Sequence, residues 1–438
     1  RVKGSALVGK MMSRVLLITH RVPYPPDRGD RIRTWNILQY LSARADVDLA
    51  CFADEPVSDE TRSVLENTVR RLAVIPHQGK ERYLRGLWSL ATGASITEGM
   101  FRSPELGRRL REWSVDTVYD ATLVSSSGIA DYTVPPFVRG RPRRWVDLID
   151  VDSQKWADYS ASRSWPMSWV YALESRRLRQ VETRLAEECD RLLVVSEAEC
   201  NVFRSFCETD CIHAVSNGVD TEYFESRFEL DGSATAKSAG SETETEAEIP
   251  PGVPVCVFVG VMNYLPNVDA VSWFAEQVWP RVREQLPDAY FCIVGKSPTD
   301  AVRALADRPG IVVTGGVPDI RPWLRRATCA VIPLRIARGI QNKVLEAMAC
   351  GLPVICSPAP LQSLAAESGV HLLRADAADE WVDAVTRVLR HENLREELGM
   401  GAAAFVRMQH SWDACLMPLD EMLQSASSVL SNQLEVNQ

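Results

Sequence analysis

At 438 residues with a formal net charge of −9, the chain has room for two or three domains and is too acidic for general nucleic-acid binding. Hydrophobic residues at 46% and charged residues at 24% are the proportions of a soluble globular protein, and no apolar run reaches the roughly 18 residues of a membrane span. Eleven cysteines, set mostly inside apolar runs (Cys256, Cys292, Cys329, Cys356), read as reduced core thiols of a cytoplasmic protein.

In chain order, the opening RVKGSALVGKMM has too short an apolar stretch for a signal peptide. The first strand is expected at 14–19 (RVLLIT), followed by a Pro-rich loop and a helix with Ile32, Trp35, Leu38 and Leu41 at helical spacing. In that loop Gly29 lets backbone N–H groups approach a ligand, with Arg28, Arg31 and Arg33 around it and Asp30 beside it. The alternative is a surface network of Arg and Asp. His20, ending the strand, reads as a satisfied loop histidine. Further apolar runs at 46–52, 72–76, 115–124, 144–151, 191–196 and 211–216 alternate with helical segments, the clearest at 169–190. Such alternation implies a parallel sheet covered on both faces, one α/β domain over 14–225.

Three features of this half bear on chemistry. The stretch 81–90 interleaves Arg82 and Arg85 with Tyr83, Leu84, Leu87 and Trp88, and 139–145 (RGRPRRW) is a basic run. Both suit anionic headgroups or a lipid-diphosphate acceptor, hence peripheral contact with the inner face of a membrane, against the alternative of an amphipathic helix and a solvated loop. Asp150-Val-Asp152 ends a strand and has the D-x-D form of a metal–diphosphate clamp, but a second copy at Asp46-Val-Asp48 shows how cheaply the pattern arises. Asp150 and Asp152 are therefore read as acceptor-side residues, with Asp152 orienting or deprotonating the acceptor hydroxyl. Cys200, Cys207, Cys211 and His213 match no zinc spacing, and no metal is expected.

The segment 226–252 is acidic, rich in small residues and nearly free of apolar side chains, a flexible connector. A second alternation fills 253–405, a second Rossmann-like domain, and the tail 406–438 reads as helical. Its first strand runs into Gly260, where the backbone can approach a ligand, then Asn263 and Asn267, the latter a candidate N-cap of a helix carrying Val268, Val271 and Phe274 on one face. No G-x-G-x-x-G follows, which argues against a dinucleotide cofactor. Gly295 ends the next strand, and Gly316 and Val317 follow the one after.

The most informative stretch is 329–358, CAVIPLRIARGIQNKVLEAMACGLPVICSP. A buried strand gives way to Arg335, Arg338 and Gly339, positive charge and flexible backbone at the strand's carboxyl end, where ligands of open α/β sheets sit. A helix from Asn342 stops at Gly351, with Pro353 behind it. Lys343 and Glu346 share one face near its start, where unpaired N–H groups and the helix dipole attract phosphate. Lys343 adds a point charge, and Glu346 can accept hydrogen bonds from sugar hydroxyls. The alternative is a surface ion pair.

These residues resemble the donor signature of GT-B-fold glycosyltransferases, the large retaining family 4 typified by sucrose and glycogen synthases. The match runs through Gly339, Lys343, Glu346, Ala347, Ala349, Gly351, Pro353 and Val354, with Arg338 where many members have a first Glu. Val195-Ser-Glu197 and Asn217-Gly-Val-Asp220 also fit, and the nearest likeness is to sugar transferases of bacterial exopolysaccharide (PEP-CTERM/exosortase-associated) gene clusters. The resemblance implies a GT-B fold, two Rossmann-like domains facing a central cleft, with the last helices crossing back to the first domain. It implies transfer of a sugar from a nucleotide-diphosphate sugar to a glycan or lipid-linked hydroxyl, with no metal or other cofactor. It further implies that Gly260, Asn263, Gly295, Gly316, Val317, Arg335, Arg338, Gly339, Asn342, Lys343 and Glu346 bind the donor. Gly29, Asp30, Arg31, Arg33 and Asp150 would line the acceptor or phosphate loop, and Lys343, Glu346 and Asp152 would serve catalysis. A nucleotide-sugar 2-epimerase and a non-catalytic nucleotide-sugar binder remain as alternatives.

Overall fold

The computed structural model describes residues 13–79, 81–162, 164–225, 249–337 and 339–426. Arg338 and most of the acidic connector fall outside them. The chain divides into two compact units: residues to Ser216 with those from Leu416 form the first, and Asn217–Cys415 form the second.

The first unit holds seven strands: β1 (Arg14–Thr19), β2 (Asp46–Ala53), β3 (Arg71–Pro76), β4 (Ala121–Ser125), β5 (Arg143–Ile149), β6 (Arg191–Val194) and β7 (Ile212–Ala214). They form one parallel sheet in the order β3-β2-β1-β4-β5-β6-β7. The second unit holds β8 (Val255–Val259), β9 (Tyr290–Val294), β10 (Ile311–Gly315), β11 (Cys329–Ile332), β12 (Val354–Cys356) and β13 (Leu373–Arg374), in the order β10-β9-β8-β11-β12-β13. Helices cover both faces, so the strands are buried on both sides and their sequences are nearly continuous apolar runs. Each sheet reverses its strand order once, between β1 and β4 and between β8 and β11. At such switch points the flanking loops part and leave room for a ligand at the strands' carboxyl ends.

Two expectations are corrected. The run 115–124 is not one strand. Ser103 caps and Pro104 opens a helix, Pro104–Asp116, that buries Leu106, Leu110 and Trp113, so Val115 ends a helix and only Ala121–Ser125 is strand. The helix Gly29–Ser42 buries Arg31, Arg33, Thr34, Ile37, Leu38, Tyr40 and Leu41, while Ile32 and Trp35 are only half-buried. Its inner face is chosen by buried ion pairs, which an apolar pattern cannot register. Asp48 lies in a strand interior, fully buried, where Arg70 (2.6 Å), Arg71 (2.8 Å) and the Tyr119 hydroxyl (2.7 Å) donate to it. No disulfide joins any of the eleven cysteines. No described helix is long and apolar enough to cross a membrane.

Candidate active site

At the switch point of the second sheet, β8 runs into Gly260 and β9 into Gly295. The Gly260 N–H donates to the Val294 carbonyl (2.9 Å), and the Met262 N–H to that of Lys296 (2.9 Å), so the two turns are stitched together. Gly295 has φ +150°, and a Cβ there would lie 1.7 Å from the Gly260 carbonyl oxygen. A Cβ on Gly260 would lie 2.7 Å from Asn267 Nδ2 and 2.9 Å from Lys343 Nζ. Two bare backbones thus leave space into which a lysine from another element reaches.

That lysine stands in the first turn of the helix Asn342–Ala349, which forms because Val344, Leu345, Ala347 and Met348 bury one face. It ends in a Schellman turn: Gly351, at φ +64°, and Leu352 donate their N–H groups to Met348 (2.9 Å) and Ala347 (3.0 Å). Its start is different. Gln341 precedes it in extended conformation and makes no side-chain cap, which leaves first-turn N–H groups for an anion. Lys343 Nζ donates to Asn267 Oδ1 (2.6 Å) and sits 4.4 Å from the centre of the Phe258 ring. Burial brings its pKa down to about 8, against the pull of Glu346. Burial pushes the Glu346 carboxyl up to about 7, against the pull of Lys343. No described residue hydrogen-bonds the Glu346 carboxylate. The pair thus presents a cation and an open acceptor one turn apart.

Of the other donor-side residues, Asn263 is exposed in the turn after β8, Asn342 opens the helix, and Gly339 has φ +60°. Gly316 and Val317 follow β10, and a Cβ on Gly316 would lie 3.4 Å from Lys296 Cβ. Arg335 is exposed, and its guanidinium pairs with Asp269 (Nε–Oδ2 2.9 Å). One expectation fails. Asn267 is not an N-cap. The helix starts at Leu265 with Tyr264 as cap residue, and Asn267 lies inside its first turn, drawn to Lys343.

The first unit gathers a second group of residues at its own switch point. At the end of β1, His20 Nδ1 is 2.7 Å from the Ser125 carbonyl and Nε2 is 3.3 Å from Asp30, which also accepts from Arg21 (2.6 Å). Burial raises the Asp30 carboxyl, but His20 and Arg21 outweigh it and hold the group well below the usual carboxylate range. At the ends of β4 and β5, Ser126 and Ile149 have φ of 128° and 69°. Positive φ in a β-branched residue is strained, and such strain concentrates where a site requires it. Asp150 and Asp152 follow. Asp152 opens the helix Asp152–Ser162, and burial pushes its carboxyl up to about 6, with Lys155 pulling down and Asp150 pushing up.

The start of that helix is held by two carboxylates not anticipated from sequence. Glu199 accepts from the Val151 N–H (2.8 Å), and Glu182 from the Ser153 N–H (3.0 Å). Glu182 is wholly buried, its second oxygen has no hydrogen-bond partner, and burial lifts its carboxyl to about 7. The signal was available: Glu174, Leu178, Val181, Glu182 and Leu185 form the buried stripe of the helix Met167–Glu188. Glu174 takes the N–H groups of Ile96 (2.7 Å) and Thr97 (3.0 Å) in the same fashion.

Of the three arginines expected around Gly29, Arg28 is exposed and the other two are internal. Arg33 is fully buried, bidentate to Asp147 (2.8 Å twice) and bonded to the Val215 carbonyl (2.8 Å). Arg31 is 3% exposed and engaged by Asp27, Asp54 and Glu55. Gly29 itself is exposed with open space around it. In the basic run at 139–145, Arg143 is tied to Asp190, and Arg144 to Glu188 (3.4 Å) and Thr133 (3.0 Å), while Arg139 and Arg141 are exposed. Arg82 donates to the His77 carbonyl (3.0 Å). Among the described residues, no group of three or more His, Cys, Asp and Glu side chains could hold a metal ion.

Two doubly wound parallel sheets define a GT-B fold, and the enzyme class is that of glycosyltransferases: residues 253–391 match the family model of glycosyl transferases group 1. Sucrose-phosphate synthase from Thermosynechococcus elongatus superposes with a TM-score of 0.64 at 15% identity, over 95% of this chain and 100% of that one. Anabaena HepE in complex with UDP and glucose gives 0.61 at 14%, over 94% and 99%. WaaG, a glycosyltransferase involved in lipopolysaccharide biosynthesis, gives 0.60 at 12%, over 93% and 98%. No curated protein sequence matches the chain.

Proposed function

We propose that the protein is a retaining, metal-independent family 4 glycosyltransferase. It moves a sugar from a nucleotide-diphosphate sugar to a hydroxyl of a glycan or lipid-linked saccharide, in the synthesis of exopolysaccharide or another cell-surface polysaccharide. The observation that carries this is the placement of Lys343 and Glu346 on one uncapped helix start, against the paired turns at Gly260 and Gly295. In this reading the Lys343 ammonium and the helix N–H groups take the diphosphate, and the Glu346 carboxylate accepts from ribose hydroxyls. As the glycosidic bond breaks, negative charge grows on the leaving diphosphate, and a fixed cation stabilises it more than the bound substrate. Asp152, a carboxyl with raised proton affinity, orients the acceptor hydroxyl. Arg338 in place of the first Glu leaves the grip on the donor sugar's own hydroxyls to other groups.

UDP-sugar binding by HepE, in whose crystals UDP and UDP-glucose were found, makes a uridine diphosphate sugar the first donor to try. A thermal-shift panel of nucleotide sugars, with and without EDTA, identifies the donor. With it in hand, Lys343→Ala and Glu346→Ala are each expected to lower transfer by about 100-fold with the melting temperature kept. Full activity in either variant refutes the assignment. Tight donor binding without turnover would instead mark a non-catalytic binder, and interconversion of 2-epimers the epimerase.

A further inference from the structure

Asn267 is 4% exposed and 76 positions from Lys343 in sequence, yet its side chain spans the space between that lysine and the turn after β8. Its Nδ2 donates to the Val261 carbonyl (2.9 Å), and its Oδ1 accepts from Lys343 Nζ (2.6 Å). The amide can face only one way, because a flipped group would set NH2 against an ammonium and oxygen against oxygen. Phe258 supports the ammonium from β8, and Gly260 keeps a Cβ out of the space. The titratable groups facing Lys343 are Glu346 on its own helix and Cys356 on β12; the helix Leu265–Gln277 contributes the neutral Asn267.

We propose that Asn267 is a positioning residue for Lys343: its neutral amide fixes the ammonium in place while leaving the whole positive charge for a bound diphosphate. A carboxylate could hold the lysine as firmly, but it would cancel the field the diphosphate feels and bind the proton more tightly. An apolar side chain would leave the charge and lose the aim. This rests on the donor-site reading above.

The chemistry sets the rank order of variants. If Asn267 only fills space, Asn267→Asp, which keeps the shape, does less harm than Asn267→Ala. If it orients a cation without neutralising it, the order reverses. Both variants lose the bond to Val261, and Asn267→Asp alone keeps the shape while adding a charge, so a space-filling role and a charge-sparing role predict opposite orders. Wild type, Asn267→Ala, Asn267→Asp and Lys343→Met are titrated by calorimetry with UDP, and with GDP in parallel, from pH 7 to 9.5, with folding checked by melting temperature. Expected for the tighter nucleotide is a loss of about tenfold in Asn267→Ala, where one charged hydrogen bond disappears. A further loss of about tenfold is expected in Asn267→Asp, where a fixed charge opposes the diphosphate. The alkaline fall in affinity moves to higher pH in Asn267→Asp and to lower pH in Asn267→Ala. If Asn267→Asp binds as well as Asn267→Ala or better, with the alkaline limb unmoved while Lys343→Met loses binding, the role of Asn267 is refuted and the donor site stands. If Lys343→Met binds as wild type, or if wild type binds neither nucleotide, the donor-site reading itself falls.

Discussion

Glu182 shows how one side chain couples folding to pH. Its folded pKa of about 7 lies above the ordinary value of 4.5, because burial penalises the carboxylate. The folded state therefore binds the proton more tightly, so the stabilising contribution is complete below pH 4.5 and is lost as pH rises towards 7. Glu182→Gln keeps an acceptor for the Ser153 N–H and has nothing to ionise. Its melting temperature should exceed that of wild type at pH 8, by an amount equivalent to something on the order of 2 kcal/mol, and should converge with it near pH 4.5. Parallel profiles would mean that the carboxyl is already solvated. Asp152 and Glu346 are displaced in the same direction, so the variant's profile should be flatter but not flat. Arg33 carries the opposite lesson. A cation beside a glycine turn reads as a phosphate ligand, yet the Arg33–Asp147 pair is sealed in the core, where residue type says nothing about exposure and only the fold decides.

At the scale of elements, the helix Asn342–Ala349 was legible almost to the residue, because start, apolar face, lysine, glutamate and glycine stop all lie within one short window. What holds it from outside was not. The Asn267–Lys343 bond and the Glu182 cap join elements far apart in sequence, and single tertiary hydrogen bonds leave no periodicity to read. The same helix is pinned at its other end. Gly351 O lies where a Cβ on Gly399, in the helix Glu392–Gln409, would be 2.4 Å away. The obstacle is backbone and cannot rotate aside, so Gly399→Ala should lower the denaturant midpoint by the equivalent of about 2 kcal/mol, the usual cost of overpacking. An unchanged midpoint would mean that the two segments separate freely.

For the whole molecule, two parallel sheets could be anticipated because strands buried on both faces announce themselves as unbroken apolar runs. Surface assignments fared worse, since an exposed arginine and a paired one look alike in sequence. In the basic run at 139–145, Arg143 pairs with Asp190 and Arg144 with Glu188, while Arg139 and Arg141 stay exposed. The apolar surface that the first unit offers a bilayer is on the helix Glu81–Thr92, which leaves Leu84 65% and Trp88 71% exposed. Apolar side chains at a lipid interface contribute in proportion to the area they bury. Leu84→Glu with Trp88→Glu should then abolish flotation with anionic liposomes, whereas Arg143→Glu should reduce it little. Equal flotation of the double variant and wild type would exclude that surface.

The meeting of Gly260 and Gly295 has a stereochemical consequence. The φ of +150° at position 295 is the mirror image of an ordinary strand value, and the colliding substituent is the one an L-residue must carry. Handedness, more than bulk, is what this turn refuses. A chain assembled by ligation with D-alanine at 295 would direct its methyl group away from the Gly260 carbonyl, whereas the L-enantiomer would drive the ends of β8 and β9 apart.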